Sequence, residues 1–200
     1  MKFLAKANKG VILFALVFAA LVVYLAVLSA SRAGDQPALK AGCEKYVGFA
    51  QQYSMLPQDY RSGDTLMTAA QQEQYTAGIK TALTPLFDGG SAAALNITGD
   101  TFRQNLQPLF AGQTVVSSNK IAITQYQDFT YSGDLISVTF QYTVNSNVSV
   151  KSAQGAVSPS SGPGRNNTGV ITFKKAGGDF KIVSVNVFNA VNGGQGDFAG

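Results

Sequence analysis

The 200-residue chain has no histidine, no tryptophan and a single cysteine, Cys43. Without histidine, the commonest general base and the commonest metal ligand are both missing, which weighs against acid–base catalysis and transition-metal binding. One cysteine allows no internal disulfide, so a folded domain here must be held by its core. Charge is scarce as well, at 13% of residues. All eleven acidic side chains lie at or after Asp35, where eleven of the fifteen lysines and arginines balance them. The net charge of +4 therefore resides in Lys2, Lys6, Lys9 and Arg32. A neutral remainder lacks the basic stripe that nucleic acid requires, so no nucleic-acid partner is expected.

What the chain has instead is Val11 to Leu28, VILFALVFAALVVYLAVL, with no charge, proline or glycine. As a helix it spans roughly 27 Å, near the hydrocarbon thickness of a bilayer. Three lysines precede it, and Arg32 and Asp35 roughly cancel after it. The positive-inside bias then keeps the N-terminus in the cytoplasm and exports the rest. Residues 1–10 are expected as a cytoplasmic N-terminus, 11–30 as an anchor in a bacterial cytoplasmic membrane, and 36–190 as one extracytoplasmic domain. Residues 191–200, ending in NGGQGDFAG, read as a disordered tail. A secretory signal peptide is the competing reading, with Ser31-Arg32-Ala33 as a small-x-small cleavage site, but signal cores run only about 7–15 residues. Ala41-Gly42-Cys43 ends like a lipobox, yet Lys40 stands three before the cysteine. A pilin-like subunit is a further alternative, from Lys9-Gly10 ahead of the apolar run, although the glutamate expected early in a pilin helix is absent.

Beyond the anchor, Asp35 and Pro37 read as a helix start, and Leu39, Cys43, Tyr46, Val47, Ala50 and Tyr53 share one helical face. The spacing predicts that this helix runs to about Tyr53, and that the membrane helix either continues into it or meets it at an elbow. Asp64 or Thr65 is expected to cap a second helix that ends near Pro85. Thr98 to Asp100 is expected to open a short third helix burying Phe102, Leu106, Leu109 and Phe110, with Pro108 kinking or shortening it. From Thr114 the apolar period becomes two. A first strand, bulged around Gln125 and Gln127, turns at Tyr131 to Asp134 into the clearest alternation in the chain, Ile136 to Val150. Lys151 to Thr168 reads as a long mobile connection, Gly169 to Lys174 as a third strand, and Phe180 to Phe188 as a fourth. In the fourth strand the apolar parity switches at Val183, which signals a bulge or cover on both faces.

Helices followed by strands give an α+β class: about three helices packed on a curved four-stranded antiparallel sheet behind a membrane helix. This order, closing in GGDFKIVSVNV, resembles the nuclear transport factor two-like (cystatin-like) cone. With one membrane helix in front it is similar to two groups of bacterial envelope proteins. These are the bitopic inner-membrane assembly factors of type IV secretion and conjugation machines, and the mammalian-cell-entry-associated membrane proteins. Where such domains often carry a tryptophan in the closing turn, this chain has Phe180. The anchor, the missing catalytic set and a sheet whose polar face and edges are open to partners lead to the expectation of a non-enzymatic structural or assembly component that binds other envelope proteins, with a homo-oligomer as one candidate arrangement.

Motifs for chemistry are sparse. Ser117-Ser118-Asn119-Lys120 matches S-x-x-K but opens a strand and lacks the K-T-G and S-D-N partners. Cys43 sits on an apolar face with no histidine to activate it. Asp59 and Asp64 are solvated turn residues; Gly89-Gly90 and Gly162-Pro163-Gly164 lack the strand–helix setting of a phosphate loop. Asn96, Asn147 and Asn166 open glycan acceptor triplets that matter only in a eukaryotic secretory route. No catalytic residue, metal ligand or cofactor is expected. The alternative function is a ligand-binding or enzymatic cone pocket of the ketosteroid isomerase kind, with Tyr46, Tyr53 and Tyr142 as candidate lining residues.

Overall fold

In the computed structural model, which describes residues 9–151, 157–159 and 165–187, helix α1 runs unbroken from Lys9 to Gln52. Pro37 therefore lies inside a helix and does not open one, and of the two arrangements left open by the sequence it is the continuous helix that forms. The chain divides into two units, Met1–Ala38 and Leu39–Gly200. In the first unit the described part is helix, and the large apolar side chains between Leu13 and Val27 are 49% to 70% exposed. This is the one helix among the described residues long and apolar enough to cross a membrane.

The second unit holds the α+β fold expected: three helices and four long antiparallel strands. Its helices are the C-terminal part of α1, then α2 (Ala69–Leu83) and α3 (Ala92–Phe110). Helix α2 begins later than expected. Its cap is Thr68, not Asp64 or Thr65, because Thr68 and Gln71 form a reciprocal capping box: the Gln71 N–H donates to Thr68 Oγ1 and the Thr68 N–H to Gln71 Oε1. Helix α3 is longer than expected, starting after Ser91, with Pro108 only two residues from its end. Phe102, Leu106, Leu109 and Phe110 are buried on it as their spacing predicts.

Strands β1 (Thr114–Ser132) and β2 (Leu135–Lys151) form a long hairpin, followed by β3 (Val157–Pro159), β4 (Arg165–Ala176) and β5 (Asp179–Asn186). The sheet order is β1-β2-β4-β5, with short β3 paired to the far end of β2. The connection expected over 151–168 thus contains a strand and the start of β4, four residues before Gly169; residues 152–156 and 160–164 of it lie outside the described residues. So does the tail 191–200, and so do residues 1–8 of the N-terminus. Register shifts at Val116/Ser118, Ile123/Gln125 and Tyr126/Asp128 are the irregularities foreshadowed by the broken alternation of β1. In β5, Thr172 pairs with Ser184 and Phe173 with Ile182, so Val183 is the bulged residue that switches the parity. The β4–β5 turn needs Gly177 and Gly178, whose φ values of 60° and 106° strain any side chain.

Ile136, Val138, Phe140 and Tyr142 of β2 face one core with Ile171, Phe173, Ile182 and the buried faces of all three helices. Helix α1 sits tightly on β4. A Cβ on Gly42 would come 2.8 Å from Phe173 Cε1, and the Phe173 ring is only 1% exposed and has no room to yield. Gly48, on the same helix, has nothing within 4 Å of such a Cβ. Gly42→Ala is expected to lower stability by about 1–3 kcal/mol through overpacking, despite alanine's better helix propensity. Gly48→Ala is expected to raise it by about 1 kcal/mol. Thermal unfolding of the two variants of the detergent-solubilised protein checks the opposite signs.

Candidate functional site

Of the three tyrosines proposed as pocket lining, Tyr46 lies on α1, Tyr53 in the turn just after it and Tyr142 on β2. Tyr46 and Tyr142 lie 1% and 0% exposed among Phe102, Phe140 and Phe173, which fill the space between helices and sheet. Tyr53 is half-buried, its ring 4.4 Å from Phe49 and 6.1 Å from Tyr75. Burial pushes the Tyr75 phenol up to about 12, helped by Tyr53 and opposed by Arg61. Tyr75 Oη donates to the Met55 carbonyl, 2.8 Å away.

A concavity of the second unit lies elsewhere, between α2 and α3. It is an open groove of about 630 Å³, and none of the three tyrosines lines it. Ala69, Gln72, Glu73, Thr76, Ala77 and Lys80 form the α2 wall; Asn96, Gly99, Asp100, Arg103, Gln107 and Phe110 form the α3 wall. Both sets recur at steps of three and four, so each is one stripe of its helix. Asp100 and Arg103 pair on their own wall, Oδ1 to Nε 3.6 Å, both side chains exposed, a pair worth little in stability. Mixed small, polar and charged residues leave no apolar period to read, which is why the sequence alone does not mark this groove.

The sheet edges are less available than an edge strand usually is. At β1, the outward Ile121 N–H donates to Gln51 Oε1 of α1 at 2.9 Å, and Tyr126 Oη donates to the Lys40 carbonyl at 3.1 Å. Lys40 Nζ stands 5.2 Å from the Tyr126 ring centroid and 5.8 Å from that of Phe129. At β5, the Asp88 N–H donates to the Ile182 carbonyl at 2.8 Å and Lys181 Nζ to the Pro85 carbonyl at 2.9 Å. Side chains and short segments thus occupy part of each edge ladder, a way of blunting it against chance pairing.

Ser117-Ser118-Asn119-Lys120 lies in bulged β1, not on the helical turn that brings a lysine to a serine at that spacing. Ser117 Oγ donates to the Asn147 carbonyl, and buried Asn119 donates from Nδ2 to Ser54 Oγ at 2.5 Å. Asp59 falls in a 3-10 turn and Asp64 in the following loop, both exposed. No three histidine, cysteine or carboxylate side chains gather at metal-binding range among the described residues.

No protein-family model matches the sequence, and none of the curated proteins matches it. Among solved structures, the chain is similar to one described as a periplasmic fragment of TraM. The identity is 14%, the match covers 71% of this chain and 93% of that one, and the TM-score is 0.36. At that identity no residue role passes from one chain to the other.

Cys43 is fully buried, and burial, followed by the Glu44 carboxylate, pushes its thiol up to about 12 from an ordinary value of 9.0. The folded state thus keeps a proton that the unfolded state releases above pH 9, so stability falls as pH rises from 9 toward 12. Tyr75 adds to this decline from pH 10 upward. Denaturant midpoints measured from pH 7 to 10.5 are expected to fall, and Cys43→Ala to flatten the part of the fall that begins near pH 9. An unchanged slope in that variant contradicts the assignment.

Proposed function

We propose that the chain is a membrane-anchored, non-enzymatic component of a bacterial envelope assembly, its second unit outside the cytoplasmic membrane and acting by contact with other proteins. The observation that carries this reading is the pairing of two opposite surfaces in one chain. The helix between Leu13 and Val27 exposes nearly every large apolar side chain, whereas the unit after it buries most of its large apolar residues in one core and leaves few, such as Leu66 and Ile97, exposed. An uncovered apolar run of this length is suited to lipid, and the lysines ahead of it favour an N-terminus in the cytoplasm. A role within a secretion or conjugation machine is the finer form of the proposal, and rests on the element order and hydropathy described above.

Three features support binding over catalysis. The chain has no histidine, its single thiol is buried and held protonated, and the groove between α2 and α3 is open and lined by mixed charges. Such a lining suits a protein surface more than a small apolar ligand, whose pockets are largely hydrophobic. In-cell cross-linking of the full-length chain is expected to recover defined envelope proteins, further copies of the chain, or both. Recovery of the monomer alone contradicts the proposal.

A further inference from the structure

Helix α2 carries a stripe made of Ala69, Glu73, Thr76, Ala77, Lys80 and, one residue past its end, Thr84. At 3.6 residues per turn these positions fall within about 100° of one another. Five are exposed and Thr76 is half-buried. The threonine hydroxyls already donate within the helix, Thr76 Oγ1 to the Gln72 carbonyl at 2.8 Å and Thr84 Oγ1 to the Lys80 carbonyl at 2.9 Å. Covering them strands no donor. Glu73 and Lys80, of opposite sign and two turns apart, have no ion-pair partner among the described residues.

We infer that this stripe docks on the same stripe of a second copy of the chain, the two α2 helices antiparallel about a two-fold axis between Thr76 and Ala77. This rests on the reading that the second unit acts by protein contact, and it names the partner. In that register Glu73 faces the copy's Lys80, Lys80 faces its Glu73, Thr76 faces its Ala77, and Ala69 faces its Thr84. Every contact sets opposite charges or two small side chains against each other, as a self-complementary interface requires. Sliding one copy by a helical turn in either direction puts both charges against alanine or threonine. A parallel pairing sets like charges together. Across the groove, Asp100 and Arg103 pair on their own wall, so neither opposes Glu73 or Lys80 of the entering copy with a full charge. Anchoring both copies in one bilayer raises their effective concentration, so a contact of this modest size suffices.

The test uses the full-length chain in its membrane with Cys43→Ala. Oxidation is expected to yield at least about five-fold more disulfide dimer for Ala77→Cys, next to the axis, than for Gln74→Cys on another face of the same helix. Glu73→Lys or Lys80→Glu alone is expected to cut that yield several-fold, and the two together to restore it, since the swap regenerates both pairs. Co-purification of two differently tagged copies carrying the same charge variants, without any introduced cysteine, reads the pairing independently of whether the cysteine variants fold. Equal dimer at positions 77 and 74, or yields and co-purification indifferent to the charge swaps, overturns the inference. If other envelope proteins are still recovered by cross-linking in that case, the proposed function stands and the self-pairing alone falls.

Discussion

The constraint on which everything else depends is the need to keep water from the apolar side chains between Leu13 and Val27. Eleven large ones are at least 49% exposed within the chain. Fully covering a side chain of this kind is worth about 1.5–3 kcal/mol, so leaving all eleven at this exposure forgoes about 10–20 kcal/mol. The hydrocarbon layer of a bilayer, whose thickness this run matches as a helix, is a medium in which that cost disappears.

Helix α1 changes character along its length. Its first part is apolar all round, while from Leu39 onward apolar residues keep to one face: Leu39, Cys43, Tyr46, Val47 and Ala50 are buried and Ala41, Glu44, Lys45 and Gly48 are exposed. The core that this face joins fixes the sheet beside it. Phe173 lies against Gly42, and Gln51 takes an edge N–H of β1. The edge ladders are partly occupied, while the groove between α2 and α3 is open.

The strands were the most legible part of the sequence, because strict alternation such as Ile136, Val138, Phe140 and Tyr142 reports burial directly. Even the bulge at Val183 showed as a switch of parity. Helix boundaries were less legible where chemistry decided them over hydropathy. Thr68 caps α2 through a reciprocal bond with Gln71 that an apolar count does not see, and Ala92 to Leu95 join α3 although they carry little period of their own. The connection after Lys151 looked featureless because β3 pairs through its backbone, with only three residues. Tyr46 and Tyr142 were singled out for their chemistry, yet they lie where their spacing puts them, on the buried faces of α1 and β2. The α2–α3 groove left no mark, since its walls are alanine, glycine, threonine and exposed charge.

The most direct measurement of the central claim is the behaviour of membrane vesicles holding the full-length protein during an alkaline carbonate wash. A chain threaded through the bilayer stays with the lipid pellet at its full mass. Full-length protein released into the supernatant contradicts the account.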